Sequence, residues 1–257
     1  MRLVLIGYGR MGHAVESVAG ERGHEVMARL TTADNIDGAA LTPERLADVD
    51  VVIDFTRPDA APRNIERVAG CGVDVVVGTT GWYEQLGRVR KAVESAETGL
   101  LYAPNFSIGT QLFFQLARQA ARLAERVGGY DAYVLEAHHR HKADHPSGTA
   151  LRLIDILLEE LSSKTRWELG PGKGTVDPSA LQVTAIRGGE NPGMHSFTLD
   201  GSDDRIEVRH EARGRAGFAR GAVAAAEWIH GRKGVFTLDE MLADTLGQEP
   251  TNDSEER

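Results

Sequence analysis

"LVLIGYGRMG", residues 3–12, is the stretch on which the fold turns. Four apolar residues run straight into Gly7, Gly9 and Gly12, in G-x-G-x-x-G spacing, with Arg10 and Met11 between and a helical pattern beyond. Glycines placed this way allow a tight turn and let a pyrophosphate approach the free N–H groups of a helix N-terminus. The spacing alone is a weak signal, and a glycine-rich turn that binds nothing would read the same. Its strand–turn–helix setting at the start of a β-α series favours dinucleotide binding.

That series is visible on reading outward. "EVMARL" (25–30), "VDVVIDF" (49–55), "VDVVVG" (73–78) and "LLYAPN" (100–105) are further strand candidates, with helix-like segments between them. Runs apolar at nearly every position suit strands covered on both faces, as in a parallel sheet. The expected fold class is therefore α/β, opening with a Rossmann-type dinucleotide-binding domain. Ligands of such sheets sit outside the carboxyl ends of the strands. Phe55 of "DFTRP" and Gly78, Thr79 and Thr80 of "GTTG" are thus expected to border the cofactor. The second strand ends near Thr31 and Thr32, with Asp34 slightly beyond and Arg10 and Arg29 nearby. No clear acid stands at the strand end itself, so a ribose 2′-phosphate is expected to be tolerated, and both NADH and NADPH to serve.

After residue 105 the pattern changes. "TQLFFQLARQAARLAERV" (110–127) reads as a long helix and "YDAYVLEAH" (130–138) as a strand. Ala150, Leu153, Ile154, Leu157, Leu158 and Leu161 form a stripe at helical spacing. "LQVTAIR" (181–187), "HSFTLDG" (195–201) and "RIEVRHEA" (205–212) follow as strands with no helix between, which makes an α+β segment with a mixed sheet. "GFARGAVAAAEWIHG" (217–231) is a last strong helix.

Composition excludes several classes. The formal charge of −9 over 257 residues argues against a nucleic-acid partner. No run approaches the roughly 18 apolar residues of a membrane span, and no signal peptide precedes the glycines. A single cysteine, Cys71, leaves no internal disulfide and suits a reducing cytoplasm. Residues 234–257 carry Asp239, Glu240, Asp244, Glu249, Asp253, Glu255 and Glu256 against Arg257 alone, and "GQEPTNDSEER" (247–257) reads as an acidic disordered tail.

The chemistry concentrates in "HHRHKADHPSGT" (138–149). His141 and His145 stand four apart, but Pro146 disfavours helix at His145 and Arg140 and Lys142 would repel a cation, so no metal is expected. A solvated basic loop is the plain alternative. An anion site with a proton donor explains more. Ser147, Gly148 and Thr149 open the apolar-striped helix, whose free N–H groups favour carboxylate or phosphate. Arg140, Lys142, His138 and His139 call for a substrate with more than one negative charge, and histidine suits a general acid near neutrality.

"GRMG", "IDFT", "GTTG", "APNFSIG", "EAHHRHKADHPSGTA" and "RGGENPGMH" (187–195), in that order, resemble the signatures of the dihydrodipicolinate (4-hydroxy-tetrahydrodipicolinate) reductase family. The resemblance spans most of the chain, and its histidine motif is far more specific than the glycine loop. It implies NAD(P)H-dependent reduction of 4-hydroxy-tetrahydrodipicolinate in the diaminopimelate route to lysine. It makes His138 the catalytic general acid and Lys142 its partner. His139, Ser147, Gly148 and Thr149 become contacts to the small-molecule dicarboxylate. Ala103, Pro104, Asn105 and Phe106 join "GTTG" on the nicotinamide side. It also implies that residues 1–105 and 217–246 form the dinucleotide-binding domain. Residues 106–216 then form a substrate-binding and oligomerisation domain, with hinges near Asn105–Gly109 and Arg213–Gly217 and a homotetramer as the assembly. The chain departs from the family in its shorter glycine loop, "GYGRMG", and in His145, where a small residue is common. Trp82 is expected either to wall the cofactor or to pack, and Arg187 and His195 could line the substrate side. His13, His24 and His230 are read as surface or capping groups. Two rivals remain at this level: a similarly built dehydrogenase of an amino acid or semialdehyde, and a noncatalytic nucleotide sensor.

Overall fold

A computed structural model describes residues 1–170 and 174–247; most of the acidic tail expected at 247–257 lies outside the described residues. Two units are distinct, one of Met1–Ser107 with the chain from Arg215 onward and one of Ile108–Gly214.

The first unit is built on a six-stranded parallel sheet. β1 (Arg2–Ile6), α1 (Arg10–Glu21), β2 (Glu25–Leu30), α2 (Pro43–Leu46), β3 (Val51–Asp54), α3 (Ala61–Gly70), β4 (Asp74–Val77), α4 (Leu86–Ser95) and β5 (Gly99–Tyr102) alternate along the chain. β3 and β4 are buried at every position, which is why they read as unbroken apolar runs rather than alternations. Ile6 pairs with Leu30 on one side and Asp54 on the other, and Asp54 pairs with Val77. The strands thus end level, and their following loops emerge side by side. β1 lies between β2 and β3, so the chain reverses direction across the sheet at β1, where open α/β sheets bind ligands.

The second unit holds α5 (Ile108–Val127), β6 (Asp131–His138), α6 (Gly148–Glu160), β7 (Arg166–Leu169), β8 (Ala180–Arg187), β9 (Met194–Asp200) and β10 (Arg205–Glu211). Its sheet runs β10-β9-β6-β8-β7 and is mixed: β6–β8 and β7–β8 are parallel, β6–β9 and β9–β10 antiparallel. Phe113, Ala117 and Ala121 of α5 and Leu153, Ile154 and Leu157 of α6 close one face over Val134, Leu181, Val183 and Phe197.

The chain then returns to the first unit. α7 (Ala216–Ile229) packs on α1, β4 and β5, and β11 (Gly234–Thr237) pairs parallel with β5. α8 (Leu238–Leu246) follows. The sequence reading places no helix between the 217–231 segment and the tail, where α8 lies. Asp239 and Glu240 occupy the first turn of α8, where the helix dipole favours acids, and Asp244 receives Arg232 at 3.1 Å and the Trp228 indole at 2.7 Å. β7 and β11 were not expected either. At four residues each they are too short to show a period.

Candidate functional site

The first site is a cleft of about 510 Å³ at the carboxyl ends of the parallel strands. It gathers Gly7, Gly9, Arg10, Met11, Thr31, Phe55, Gly78, Thr79 and Thr80 from the expected set, together with Tyr8, Thr32, Thr56, Arg57 and Pro58. Gly7 has φ +82°, and a Cβ there would lie 2.2 Å from the Phe55 carbonyl oxygen. A Cβ at Gly78 would enter the Phe55 ring at 2.0 Å. These two glycines let the loops after β1 and β4 close on the Phe55 segment between them. α1 starts at Arg10 with no side-chain cap and no acid in its first turn, so its leading N–H groups stay available to a phosphate. Gly12 is buried instead, its missing side chain leaving room for Gly7 and Tyr8.

Ala103, Pro104, Asn105 and Phe106 do not line this cleft. Phe106 is buried edge-on to Phe55 with ring centroids 6.1 Å apart, and the Asn105 side chain accepts from the Ser107 N–H at 2.8 Å. Trp82 packs rather than walls. It is 1% exposed among Tyr83 and Tyr102, with its indole N–H donating to the Thr79 carbonyl at 2.8 Å.

The strand-end reading needs correction at β2. Arg29 is committed to Glu16, its Nε at 2.6 Å, and the Tyr8 hydroxyl donates to the same carboxylate. An acid does stand at the strand end, because Asp34 folds back to accept from the Thr31 N–H at 2.9 Å and the Thr31 hydroxyl at 2.6 Å. Those two bonds hold the Asp34 carboxyl below its ordinary range.

The second site lies in the other unit, at the end of β6. Its centre is Glu136, which sequence reasoning did not single out. The Glu136 side chain has no exposed surface. Oε1 accepts from the Ser147 N–H at 3.0 Å and from Arg187 at 2.8 Å, and Oε2 accepts from the Ser147 hydroxyl. His195 Nε2 lies 3.0 Å from that hydroxyl, and His138 Nδ1 and His195 Nε2 lie 3.3 and 3.4 Å from Oε2. Burial pushes the Glu136 carboxyl up, but hydrogen bonds from His195, Ser147 and Arg187 outweigh it and hold the group well below the carboxylate range. A signal was present in the sequence. An acid two residues before His138 shares its side of the strand, and that side is buried along the whole of β6.

His138 is 6% exposed, and its Nδ1 has no hydrogen-bond partner. Burial first, and then the nearby His195, lower its pKa to about 4. Its Nε2 faces Gly193, where a Cβ would come within 3.0 Å. The loop beyond is fastened to the 187–193 segment by His139 N–H to the Asn191 carbonyl at 2.8 Å and Arg140 N–H to the Gly189 carbonyl at 3.2 Å. Lys142 Nζ meets Asp144 Oδ1 at 2.8 Å. Burial raises the Asp144 carboxyl, while bonds from Lys142 and the Gly148 N–H bring it below its usual range.

Ser147 is the N-cap of α6, its hydroxyl accepting from the Ala150 N–H at 3.2 Å. That hydroxyl is 2% exposed as part of its residue and fully engaged, so the donors left for a ligand at this helix start are those of Thr149 and of Gly148, the latter held by Asp144 here. Glu136, His138 and His195 are also the metal-capable group among the described residues. Arg187 and Ser147 already occupy both carboxylate oxygens, which makes Glu136 a hydrogen-bond hub. Of the remaining histidines, His24 bridges Met1 and Glu227, His13 packs on Tyr8, and His230 is half exposed near Asp74.

Comparison with known proteins agrees with this layout. Residues 1–106 match the family model described as dihydrodipicolinate reductase, N-terminus, and residues 109–242 that described as dihydrodipicolinate reductase, C-terminus. The chain is 36% identical to 4-hydroxy-tetrahydrodipicolinate reductase of Christiangramia forsetii, over 95% of this chain and 98% of that protein. It is 35% identical to the enzyme of that name from Thiobacillus denitrificans, over 94% and 98%. Among solved structures, a dipicolinate-bound dihydrodipicolinate reductase from Paenisporosarcina sp. TG-14 shares the fold with TM-score 0.73 at 23% identity, covering 92% of this chain and 97% of that one. An amine dehydrogenase from Mycobacterium smegmatis shares it with TM-score 0.58 at 10% identity, covering 93% and 95%. With both family models matched in order along nearly the whole described chain, this protein belongs to the dihydrodipicolinate reductase family.

Proposed function

We propose that the chain reduces 4-hydroxy-tetrahydrodipicolinate to tetrahydrodipicolinate, in the diaminopimelate route to lysine, with a nicotinamide dinucleotide as reductant. The observation that carries this is the Glu136 cluster at the start of α6. There two histidines, an arginine and a helix N-terminus converge in the unit that does not hold the dinucleotide cleft. A semialdehyde dehydrogenase would not need two anion sites, and a sensor would need neither. The nicotinamide dinucleotide, when bound, supplies the hydride.

The chain's own residues hold the substrate and handle the proton. The Gly148 and Thr149 N–H groups and Lys142 bind one carboxylate, taking over donors that Asp144 holds here. His139 steadies the other. Binding of a dianion raises the His138 pKa, because two nearby negative charges favour the imidazolium against burial. His138 then delivers the proton to the carbon beside the one reduced, and Lys142 supports it.

We infer that the cleft serves both nucleotides. Asp34 offers a carboxylate to a ribose 2′-hydroxyl, while Arg10, with Thr31 and Thr32, suits a 2′-phosphate. Arg10→Ala is expected to weaken NADPH about tenfold, the ~1.4 kcal/mol of one charged hydrogen bond, and to leave NADH within about threefold. Fluorescence titration of both nucleotides reads this, and equal losses would return Arg10 to a solvent role.

We place the reaction in the cytoplasm, where the reduced nucleotides and a lone free thiol are at home. No helix of the described chain is long and apolar enough to cross a membrane. The homotetramer would form on the face of the second unit's sheet that α5 and α6 leave uncovered. The test of function is absorbance at 340 nm with each nucleotide, the substrate being generated from pyruvate and aspartate semialdehyde by the preceding synthase. Oxidation that needs both precursors is the expected result. Folded protein that oxidises neither nucleotide would overturn the reading.

A further inference from the structure

We propose that Asp54 is a positioning residue for the dinucleotide, holding the three loops of the cleft in register through a one-way chain of hydrogen bonds. The inference rests on the nucleotide reading above and concerns a side chain that touches no ligand. Asp54 ends β3 and is 0% exposed. Its Oδ1 accepts from the Thr56 N–H at 2.8 Å, the Thr56 hydroxyl at 2.7 Å and the Thr79 hydroxyl at 3.1 Å. Its Oδ2 accepts from Asn64 Nδ2 at 2.9 Å. All of these donors are uncharged. Burial raises the Asp54 carboxyl against the pull of these donors, so they stand in for a counter-ion.

The chain continues away from the cleft. Asn64 Oδ1 accepts from Asn35 Nδ2 at 3.1 Å, and Asn35 Oδ1 accepts from the Ala40 N–H at 3.2 Å. Asn64 is 2% exposed and Asn35 9%, so neither can turn to water for a substitute partner. The donor sense of every link follows from its two ends, the Ala40 and Thr56 N–H groups, which can only donate and so leave both Asp54 oxygens as acceptors. One residue therefore fixes Thr56 after β3, Thr79 after β4 and the segment after Asp34 that follows β2. These are the loops that flank the cleft on either side of the glycine turn. A dinucleotide bound in the cleft would meet the Thr31, Thr56 and Thr79 loops that line it, so its affinity would depend on their spacing.

The polarity of the chain gives the test. In Asp54→Asn, either the new amide faces the Asn64 amide donor, or Asn64 and Asn35 flip in turn and leave the Ala40 N–H unpaired. In Asp54→Asn with Asn64→Asp, every link of the chain from Thr56 to Ala40 regains its sense, and only the long Asn64 Nδ2–Thr56 Oγ1 contact at 3.5 Å is lost. The amide introduced on β3 would accept from Thr56 and Thr79 and donate to the carboxylate introduced on α3, which in turn would accept from Asn35. Affinity for NADH and NADPH is titrated by fluorescence at 10 °C, with thermal unfolding alongside. Asp54→Asn is expected to weaken both nucleotides at least tenfold, and the double variant to return to within about threefold of the parent. Asn35→Ala, at the far end, should lose about threefold, and it serves with the double variant should Asp54→Asn fail to fold. A residue that merely stabilised the fold would lower the melting temperature in Asp54→Asn and leave affinity for the folded protein unchanged. That result overturns the proposal, as does a folded double variant that stays weak or an Asn35→Ala indistinguishable from the parent. Should the parent itself bind no nucleotide, the functional reading falls; should only the variants match the parent, this inference alone falls.

Discussion

His138→Gln is expected to lower turnover by roughly 10²–10⁴-fold while nucleotide affinity stays within about twofold. Glutamine keeps a polar side chain of similar reach but carries no titrating proton. The ring's setting explains the size of the effect. His138 is buried beside His195, with a pKa lowered to about 4, so at neutral pH it is uncharged before substrate arrives. On the proposed reading, a dianion bound at Gly148, Lys142 and His139 would reverse that balance, and the proton to be donated would be taken up as the substrate binds. Calorimetry with a non-reducible dicarboxylate analogue, in buffers of different ionisation enthalpy, should show uptake of about one proton near pH 6. The sign is fixed by linkage: a ligand that raises a pKa binds with proton uptake between the free and bound values, and its affinity falls as pH rises. His138→Gln should abolish the uptake. Uptake that persists would move the proton to His139 or His195, and turnover within tenfold of the parent would end the general-acid role.

The dinucleotide half of the protein was legible in sequence because each of its signals is local. Buried parallel strands are apolar throughout, and glycines announce the turns, so 3–6, 25–30 and 73–78 fell within two residues of β1, β2 and β4. The Ser147 cap was legible for the same reason. What could not be read depends on contacts distant along the chain. Arg29 looked free because Glu16 lies thirteen residues away, and Asp34 looked displaced because its fold-back onto Thr31 is a turn rather than a pattern. Arg187 and His195 were visible only as possible lining groups. Their common partner, Glu136, lies 51 residues before one and hides in a strand that otherwise reads as core. α8 is the exception, since Thr237 and Glu240 form a capping box that the sequence displays.

Glu136→Gln should have the largest effect on the folded state. The carboxylate has no exposed surface and answers Ser147 twice and Arg187 once, with His138 and His195 close by. The amide supplies one acceptor where two were used and turns an N–H₂ toward groups that themselves donate. It also leaves the Arg187 guanidinium, 14% exposed, without its charge partner. Removing one member of such a pair costs about 3 kcal/mol or more, in contrast to the 0–1 kcal/mol of the exposed Arg57–Asp59 pair. Ser147 loses its orientation too, so the start of α6 and its Gly148 and Thr149 donors shift. We expect kcat/KM to fall at least 10²-fold with nucleotide affinity intact, since the dinucleotide cleft lies in the other unit. Acidity provides a separate check. A carboxyl held below its ordinary 4.5 contributes stability that is complete above that value and is lost as pH falls beneath it. The parent should therefore lose unfolding free energy more steeply than Glu136→Gln below pH 4.5. Urea unfolding at intervals from pH 7 down to pH 3.5 measures both effects. Unfolding free energies within about 0.5 kcal/mol at pH 7, or parallel acid limbs, would show that Arg187 and Ser147 hold the site without the carboxylate between them.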